Sequence, residues 1–209
     1  MDIFEKSAPE YDAWFDQNKL VYQSELLAIK ALLPPAGRGL EIGVGTGRFA
    51  APLRIGMGVE PARAMAEIAR NRGIIVCQAY AEELPFGNGL FDFVLMVTVL
   101  CFLKDHCRAL TEARRVIKPQ GKLIIGMIDP DTSLGRSYEK NKAENKFYRQ
   151  ARFYPVRFIL DLLKKLGFGN IATGQTIFQE WPSITAMEPM RENYGEGGFV
   201  VIAAQKIGN

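Results

Sequence analysis

Between residues 38 and 128 the chain alternates short apolar segments with helical segments, and this alternation constrains its fold more than any other feature. The apolar segments predict five strands, at residues 38–42, 54–60, 74–79, 91–99 and 122–128. Helices are expected to begin near Thr46, to run from Pro61 to Gly73, and to span residues 105–116. Such an alternation forms a parallel sheet with helices on both faces. The sequence therefore predicts a doubly wound α/β fold whose ligand lies beyond the carboxyl ends of the strands.

The segments on either side of this alternation complete a single predicted domain, because no linker is visible. Residues 7–33 are expected to be helical, with Ser7 and Glu10 as a capping box. Past residue 130 a polar, basic stretch precedes an amphipathic helix at 155–168 and a strand at 197–207. The predicted division of residues 1–209 is a helical cap (1–35), a ligand-binding core (36–130), an insertion on the substrate side (131–156), and a C-terminal helix with strands (157–209).

Composition and charge exclude several classes of function. A chain of 209 residues with 48% hydrophobic and 23% charged residues is typical of a globular protein, and a net charge of +3 is too small to indicate nucleic acid or a membrane surface. No apolar run approaches the roughly 18 residues of a membrane span, and the acidic, aromatic N-terminus is not expected to be a signal peptide. Three cysteines without repeated spacing give neither a disulfide framework nor a zinc pattern, so we expect a cytoplasmic protein without a metal.

Three alternate glycines directly follow the first predicted strand, in residues 39–49, "GLEIGVGTGRF". A strand followed by glycines and a helix N-terminus exposes backbone N–H groups, and Gly43, Gly45 and Gly47 let an extended ligand pass close to the backbone. Glu41 lies beneath this turn. Because a carboxylate repels a pyrophosphate and attracts a cation, the turn is expected to hold a ligand that carries a cationic group.

Two dehydrogenase patterns fail at this turn. The dinucleotide fingerprint G-x-G-x-x-G needs glycine where the chain has Arg48. A second pattern, G-x-x-x-G-x-G with a Tyr-x-x-x-Lys pair at Tyr138 and Lys142, needs a strand before Gly39, but that glycine is preceded by "PPAGR". We therefore interpret Tyr138 and Lys142 as a solvated helix face.

The glycine turn resembles motif I of the class I S-adenosylmethionine-dependent methyltransferases, E/D-x-G-x-G-x-G, and the resemblance continues in register to residue 128. The stretches that carry it further are "GVEPARAMAEIAR", "AEELPF", "GLFDFVLMVTVLCFLKD" and "ALTEARRVIKPQGKLII". The chain looks most like the small-molecule branch that includes the quinone methyltransferases. The resemblance implies a Rossmann-like, mostly parallel seven-stranded sheet with an N-terminal helical cap. It also implies S-adenosylmethionine as cofactor and S-adenosylhomocysteine as product.

The resemblance also implies the residues that contact the cofactor. Glu41 and the three glycines would hold the methionine part, with the Glu41 carboxylate on the ammonium, and Glu60, followed by Pro61, would accept hydrogen bonds from both ribose hydroxyls. The remaining implied contacts are Ala81 and Glu82 beside adenine, and Val97 and Thr98 beside methionine. Tyr80 stands where the family commonly has aspartate, and it is either a ring that stacks on adenine or a packing residue.

The acceptor side is less well marked. Tyr11, Trp14 and Phe15 resemble the aromatic lid of similar enzymes, with core packing as the equal alternative, and Cys101 and Phe102 are expected to form a wall. The matched motifs contain no evident base, so Asp129, at the end of the fifth strand, and Tyr11 are the candidates. The single histidine, His106, is expected to be a solvent-exposed structural residue.

These observations predict direct in-line methyl transfer to a nitrogen or oxygen atom of a small molecule, without a metal. One alternative is an RNA or tRNA-nucleoside methyltransferase, based on basic residues with Phe147 and Tyr148 between them: Lys140, Lys142, Lys146, Arg149 and Arg152. Another is a non-catalytic module that binds S-adenosylmethionine. The sequence does not specify an oligomeric state.

Overall fold

The strands expected between residues 38 and 128 form the parallel part of one sheet in the computed structural model, which describes residues 2–179 and 183–208. They are β1 (Gly39–Ile42), β2 (Met57–Val59), β3 (Ile75–Cys77), β4 (Phe91–Val97) and β5 (Ile117–Ile128). Residue 1 of the predicted cap, and residues 180–182 and 209 of the predicted C-terminal region, lie outside the described residues.

The C-terminal strands extend this sheet, and each runs antiparallel to its neighbours. They are β6 (Phe168–Thr176), β7 (Arg191–Glu192) and β8 (Phe199–Lys206), and the strand order is β3-β2-β1-β4-β5-β8-β6-β7. The described part of the chain thus has eight strands where seven were predicted. The two-residue β7 at the edge has only exposed side chains and therefore gives no apolar signal in the sequence. Strand order reverses between β1 and β4, which places the expected ligand crevice beyond the ends of these two strands.

Helices cover both faces of the sheet, as predicted. One core layer packs α5 (His106–Val116) and α7 (Val156–Lys165) against side chains such as Val94 and Met96, while the opposite layer contains Phe93, Leu95 and Val97. The second layer is closed by α2 (Ala8–Gln17), α3 (Lys19–Leu32) and α4 (Arg63–Asn71). Each large apolar side chain buried in these layers contributes about 1.5–3 kcal/mol. Successive side chains of β4 point to opposite faces, and both faces are covered by core layers, which explains why the strand is almost entirely apolar.

The helix predicted for residues 7–33 is divided into two, α2 and α3, by a break at Asn18, and a further helix, α1 (Asp2–Lys6), precedes it. The Asn18 side chain donates to the Trp14 carbonyl at 2.9 Å and so satisfies the end of α2. The predicted capping box does not form: Ser7 makes no side-chain cap bond, and Glu10 pairs with Lys146 instead.

The helix expected to begin near Thr46 is instead a series of turns across residues 43–54. Two helix-like bonds are present, from the amide of Ala51 to the Gly47 carbonyl at 3.1 Å and from Leu53 to Phe49 at 3.2 Å. Pro52 has no amide to continue them, and Arg54 ends the segment in the left-handed region, at φ 58°. The glycine turn is therefore not followed by a regular helix.

The insertion begins with α6 (Ser133–Asn141), and residues 142–155 that follow it contain no helix or strand. Thr132 caps this helix by accepting the amide of Gly135 at 3.1 Å. The insertion lies next to the N-terminal helices, because the Lys146 ammonium pairs with Glu10 of α2 and the ring of Phe147 contacts Phe4 of α1 and Tyr11 of α2. The two segments outside the parallel core thus meet above the sheet.

Candidate active site

The glycine turn and the loop after β2 are joined by one buried carboxylate at the predicted crevice. Glu60 is 8% exposed, and its Oε2 accepts the amide of Gly45 at 3.0 Å while Oε1 accepts the amide of Ala62 at 2.9 Å. Burial raises the pKa of Glu60, although these two hydrogen bonds act in the opposite direction. Glu60, which was predicted to bind a ribose, therefore also holds the glycine turn. That turn was itself predicted to lie beneath the ligand.

The second acid, Glu41, lies at the end of β1 and is 1% exposed. Its carboxylate accepts a hydrogen bond from the backbone of Ala50, and its Oε2 has no hydrogen-bond partner among residues 2–179 and 183–208. Burial, with a smaller effect from the charge of Glu60, raises its pKa well above the usual range. A buried acceptor without a partner is destabilising unless a donor or cation reaches it, which agrees with a cationic group of a ligand at this position.

The three glycines of the turn are not equivalent. A Cβ on Gly43 would lie 2.4 Å from Cγ2 of Val99, and one on Gly47 would lie 2.5 Å from Cδ1 of Ile74. At Gly45 the nearest described atom, apart from its chain neighbours, is Cε1 of Tyr11 at 4.0 Å. Gly43 and Gly47 thus allow internal packing, whereas Gly45 turns its Cα toward open space at the predicted ligand path.

The other predicted cofactor contacts lie on the loops at this edge. Ala81 and Val97 are buried, Pro61 is half-buried, and Tyr80 is 53% exposed, which argues against Tyr80 as a packing residue. The Glu82 carboxylate accepts the amides of Lys104 and Asp105, at 3.2 and 3.4 Å, so it holds the start of α5. The adenine and methionine contacts predicted for these residues stay predictions.

Thr98 directly follows β4 and has a φ of 50°, which is rare for a β-branched residue. Its amide donates to the Gly126 carbonyl at 2.8 Å, and its carbonyl accepts the Cys101 thiol at 3.2 Å, so the residue is held on both sides. Backbone strain of this kind, on the order of 1–3 kcal/mol, is concentrated at functional sites. Thr98 also lines the large cavity described next.

A cavity of about 410 Å³, hereafter the cap cavity, lies beside Thr98 between the N-terminal helices, the sheet and the insertion. This volume is within the range of small-molecule sites. Its walls are mostly apolar and rich in aromatic rings, and they also contain a carboxylate, an ammonium and several amide groups. The residues used below are Tyr11, Trp14, Phe15, Glu25, Thr98, Tyr138, Lys142, Phe147, Tyr148 and Phe199.

The cap aromatics divide between core packing and the cavity wall, and their role as a lid stays a prediction. Phe15 is buried and makes edge contacts with Tyr22 and Phe49, so it packs the core, while Tyr11 and Trp14 are half-buried. All three line the cap cavity. Tyr11 lies at both sites, near Gly45 and in the cavity wall, and burial raises the pKa of its hydroxyl so that it keeps its proton.

Cys101 and Phe102, which were expected to form a wall, do not line the cap cavity, and their wall role stays a prediction. Cys101 and Phe102 lie in a short 3-10 helix, Leu100–Phe102. Burial raises the pKa of the Cys101 thiol to about 12, which keeps it from being a nucleophile at neutral pH. Phe102 stacks on Tyr148 and contacts Phe4 edge-on, with centroid distances of 5.6 and 5.1 Å, so it joins the insertion to the cap.

Asp129 is not brought to the cap cavity. It is buried, and its carboxylate accepts hydrogen bonds from the amides of Asp131, at 3.2 Å, and Val156. It therefore holds the turn into α6 and the start of α7. His106 is half-buried against Tyr154 and Phe158, and not exposed as expected.

The structure adds cavity residues that the sequence interpretation missed. Tyr138 packs against Tyr148 and Phe153, and Lys142 pairs with Glu139 and donates to the Ala151 carbonyl at 3.2 Å, so the interpretation of Tyr138 and Lys142 as a solvated face was wrong. Glu25 is the main addition. Its position could have been found from the sequence, because Glu25 lies one helical turn after Val21 and one turn before Ile29, on the buried face of α3.

Comparisons with known proteins agree with the crevice geometry. A family model described as a methyltransferase domain matches residues 40–125. The crystal structure of a SAM-dependent methyltransferase from Thermotoga maritima, described as a possible histamine N-methyltransferase, shares 51% identity, covers 98% of this chain and 99% of its own, and superposes with a TM-score of 0.95. The chain belongs to the class I S-adenosylmethionine-dependent methyltransferases.

Other similar proteins include an uncharacterized protein of Methanocaldococcus jannaschii, 50% identical over 99% of this chain and 100% of that protein. A malonyl-[acyl-carrier protein] O-methyltransferase of Geobacter sulfurreducens is 32% identical over 63% of this chain and 53% of that protein. In the described part of this methyltransferase, no helix is both long and apolar enough to cross a membrane. The same residues contain no cluster of histidine, cysteine and carboxylate side chains that could hold a metal ion.

The residues of this methyltransferase fit the cofactor that its family uses. The unpartnered oxygen of Glu41 suits the methionine ammonium, and the open side of Gly45 leaves room for an extended ligand above the turn. The Glu60 carboxylate lies next to that opening and keeps free lone pairs for hydroxyl donors.

An ion-pair network ties the cap of the methyltransferase to the glycine turn. Arg48 donates to Asp12 at 2.8 and 2.9 Å and to Asp16 at 2.7 and 2.8 Å, and Arg72 donates to Asp12 at 2.8 Å and to the Thr46 carbonyl at 2.6 Å. Burial raises the pKa of Asp12, but the hydrogen bonds from both arginines outweigh it and hold the pKa well below its usual range.

We expect Asp12→Ala to lower the free energy of unfolding by about 1–3 kcal/mol, because hydrogen bonds to two arginines are lost. Asp12 has a depressed pKa in the folded state, so its stabilisation is present above its unfolded pKa of about 4 and is lost as pH falls further. Urea unfolding at pH 7 and pH 3 measures both effects. Asp16→Ala is the matched control, since Asp16 pairs with Arg48 and is mostly exposed, and it should change stability much less. Equal losses in both variants would contradict a special role for Asp12.

Proposed function

We propose that this methyltransferase transfers a methyl group from S-adenosylmethionine to a nitrogen or oxygen atom of a small molecule held in the cap cavity. The observation that carries the proposal is the cavity of about 410 Å³ beside Thr98, at the same sheet edge as the glycine turn. Tyr11 lies between the two, near Gly45 and in the cavity wall. A cofactor on the turn and an acceptor in the cavity would thus be neighbours.

The protein's contribution would be to hold the acceptor and exclude water. Bound S-adenosylmethionine supplies an electrophilic methyl carbon, so the chain itself need not provide a nucleophile. Tyr11 and Trp14 from the cap, with Phe147 and Tyr148 from the insertion, would cover the acceptor with apolar surface. The aromatic contacts of Phe147 with Phe4 and Tyr11 support joint closure by the cap and the insertion.

The structure favours a small acceptor over RNA. The rings of Phe147 and Tyr148 pack against Phe4 and Phe102 and line the cap cavity, and so do not form an open surface for stacked bases. Two lysines of the basic stretch have partners: Lys146 pairs with Glu10 and Lys142 with Glu139. An RNA substrate would give binding that weakens steeply with salt, so RNA binding measured at two salt concentrations tests this alternative.

We expect the protein to bind S-adenosylmethionine and S-adenosylhomocysteine but not NAD, because Glu41 lies beneath the turn. Titration calorimetry with the three ligands measures this selectivity. Heat with NAD and none with S-adenosylmethionine would contradict the proposal.

Turnover needs a separate experiment, since binding alone also fits a non-catalytic module. Incubation with methyl-labelled cofactor and a panel of amines and alcohols should label one acceptor class. The panel includes histamine, which the description of the Thermotoga protein names. We also propose a cytoplasmic setting, which the three free cysteines support.

A further inference from the structure

Glu25 is an acid without a partner in the wall of the cap cavity. It lies on α3, and its side chain is partly buried and faces the cavity. Within residues 2–179 and 183–208 no hydrogen-bond donor or cation reaches its carboxylate, and burial alone raises its pKa, to about 8. A carboxylate that opens into a largely apolar cavity is stabilised by a cationic or hydrogen-bonding partner, so a ligand in the cavity is expected to supply that partner.

The groups around Glu25 are aromatic rather than basic. Its charge acts on Tyr11, Tyr138 and Tyr148, so the carboxylate lies within electrostatic reach of three rings from the cap and the insertion. Burial raises the pKa of each hydroxyl, that of Tyr138 to about 12, so these groups stay protonated near neutral pH. The faces of aromatic rings attract cations.

Of the described residues that line the cavity, Lys142 is the one charged residue besides Glu25. The Lys142 ammonium pairs with Glu139 and the Ala151 carbonyl. The β5, β6 and β8 sides contribute Ile128, Ile177 and Phe199, which do not titrate. The neighbouring acids are also engaged, since Asp12 and Asp16 bind Arg48, and the Glu188 carboxylate accepts the amides of Phe178 and Gln179.

We propose that Glu25 binds the ammonium group of the methyl acceptor, which is therefore an amine with an apolar or aromatic body that lies between the cavity rings. This inference rests on the proposed function and narrows its acceptor class. A carboxylate and aromatic faces recognise an ammonium and do not favour a neutral alcohol. The same carboxylate can then take a proton from the bound ammonium: the N–H bond breaks, its electron pair stays on nitrogen, and an O–H bond forms on Glu25.

The test uses the full chain with S-adenosylhomocysteine present and three arylalkyl amines: 2-phenylethylamine, tyramine and histamine. Each is compared by calorimetry with the alcohol of the same carbon skeleton. We expect at least one amine to bind the wild-type protein about tenfold or more tightly than its alcohol, and Glu25→Gln to remove that preference. Glu67→Gln is the matched control, because Glu67 is an exposed acid on α4 that pairs with Arg63. No preference for any amine, or a preference that Glu25→Gln retains, would overturn the proposal.

The pH dependence of amine binding distinguishes a Glu25 that contacts the amine from one that has only a structural role. Below pH 8 the Glu25 carboxyl of the free protein and the free amine each carry a proton. In the ion pair the amine keeps its proton but Glu25 is ionised, so binding releases one proton. The dissociation constant should therefore decrease by up to about tenfold per pH unit between pH 6 and 8. Binding to the Glu25→Gln variant should show no such slope, and an unchanged slope would overturn the proposal.

Folding and cofactor binding are checked separately. Because the pKa of Glu25 is raised in the folded state, the wild-type melting temperature should fall as pH rises from about 4.5 to 8, and Glu25→Gln should fall less. If all variants bind S-adenosylhomocysteine normally and Glu25→Gln leaves amine binding unchanged, this inference alone is refuted. Loss of cofactor binding in the wild-type protein would instead refute the proposed function.

Discussion

Replacing Glu60 with alanine is expected to weaken S-adenosylmethionine binding by about 30- to 150-fold. A hydrogen bond to a charged group is worth about 1.5–3 kcal/mol, and water would partly replace two of them, which leaves a loss of about 2–3 kcal/mol. The Glu60 carboxylate also accepts the amides of Gly45 and Ala62, so the variant loses the support of the glycine turn as well. Both effects weaken the cofactor site in the same direction.

Glu60→Gln separates shape from charge. The glutamine side chain has nearly the same size, but its NH₂ group must face either the amide of Gly45 or that of Ala62, and both are donors. A donor that faces a donor leaves a buried polar group without a partner. We therefore expect the glutamine variant to lose a large part of the affinity, despite its conserved shape.

Calorimetry with S-adenosylmethionine and S-adenosylhomocysteine measures the effect of both Glu60 variants. The two ligands share the ribose and should weaken alike, and KM for the cofactor should rise while kcat changes little, because the contact is the same in the ground and transition states. Glu67→Ala is the control for loss of an acid on a neighbouring element. Normal cofactor affinity in a folded Glu60→Ala variant would show that neither a ribose contact nor the support of the turn by Glu60 contributes to cofactor binding.

The parallel half of the fold could be predicted because its signals are local. Each buried strand is a short apolar run bounded by glycine, proline or charged residues, and the order of strands and helices sets the position of the crevice. The additional strand, β7, gave no such signal, since Arg191 and Glu192 are both exposed and charged. The expected helix after the glycine turn failed because Pro52 and Arg54 interrupt it within one or two turns.

The cofactor side of the site could likewise be predicted from local sequence signals, whereas the acceptor side could not. The motifs that resemble the family lie at the ends of neighbouring strands, so the resemblance implies Glu41, Gly45 and Glu60 as cofactor residues, and the structure brings Gly45 and Glu60 together. The acceptor side is assembled from α2, α3 and the insertion, which are distant in the sequence. Glu25 and Tyr138 share a cavity only because these segments meet in space, and no periodicity in one segment indicates the other. Asp129 lies at a strand end, as expected, but the amides of the next turn satisfy its carboxylate.

Gly45→Ala is expected to weaken cofactor binding by about 5- to 150-fold. The new Cβ would project into the open space above the turn, where the nearest described atom is Cε1 of Tyr11 at 4.0 Å, and crowding of a packed site by one methyl group costs about 1–3 kcal/mol. Gly45 also has a φ of 53°, so alanine there strains the backbone by about 1–2 kcal/mol, whether or not a ligand is present.

Gly73→Ala isolates the backbone strain from the contact with the ligand. Gly73 follows α4, has a φ of 83°, and has nothing within 4 Å of an added Cβ, so alanine there is strained in a similar way but lies away from the turn. Urea unfolding should show a similar loss of stability for both variants, while calorimetry should show weaker S-adenosylhomocysteine binding for Gly45→Ala alone. If both variants bound the product normally, the open side of Gly45 would not be the path of the cofactor. If both bound it weakly, the loss would come from reduced stability and not from the contact.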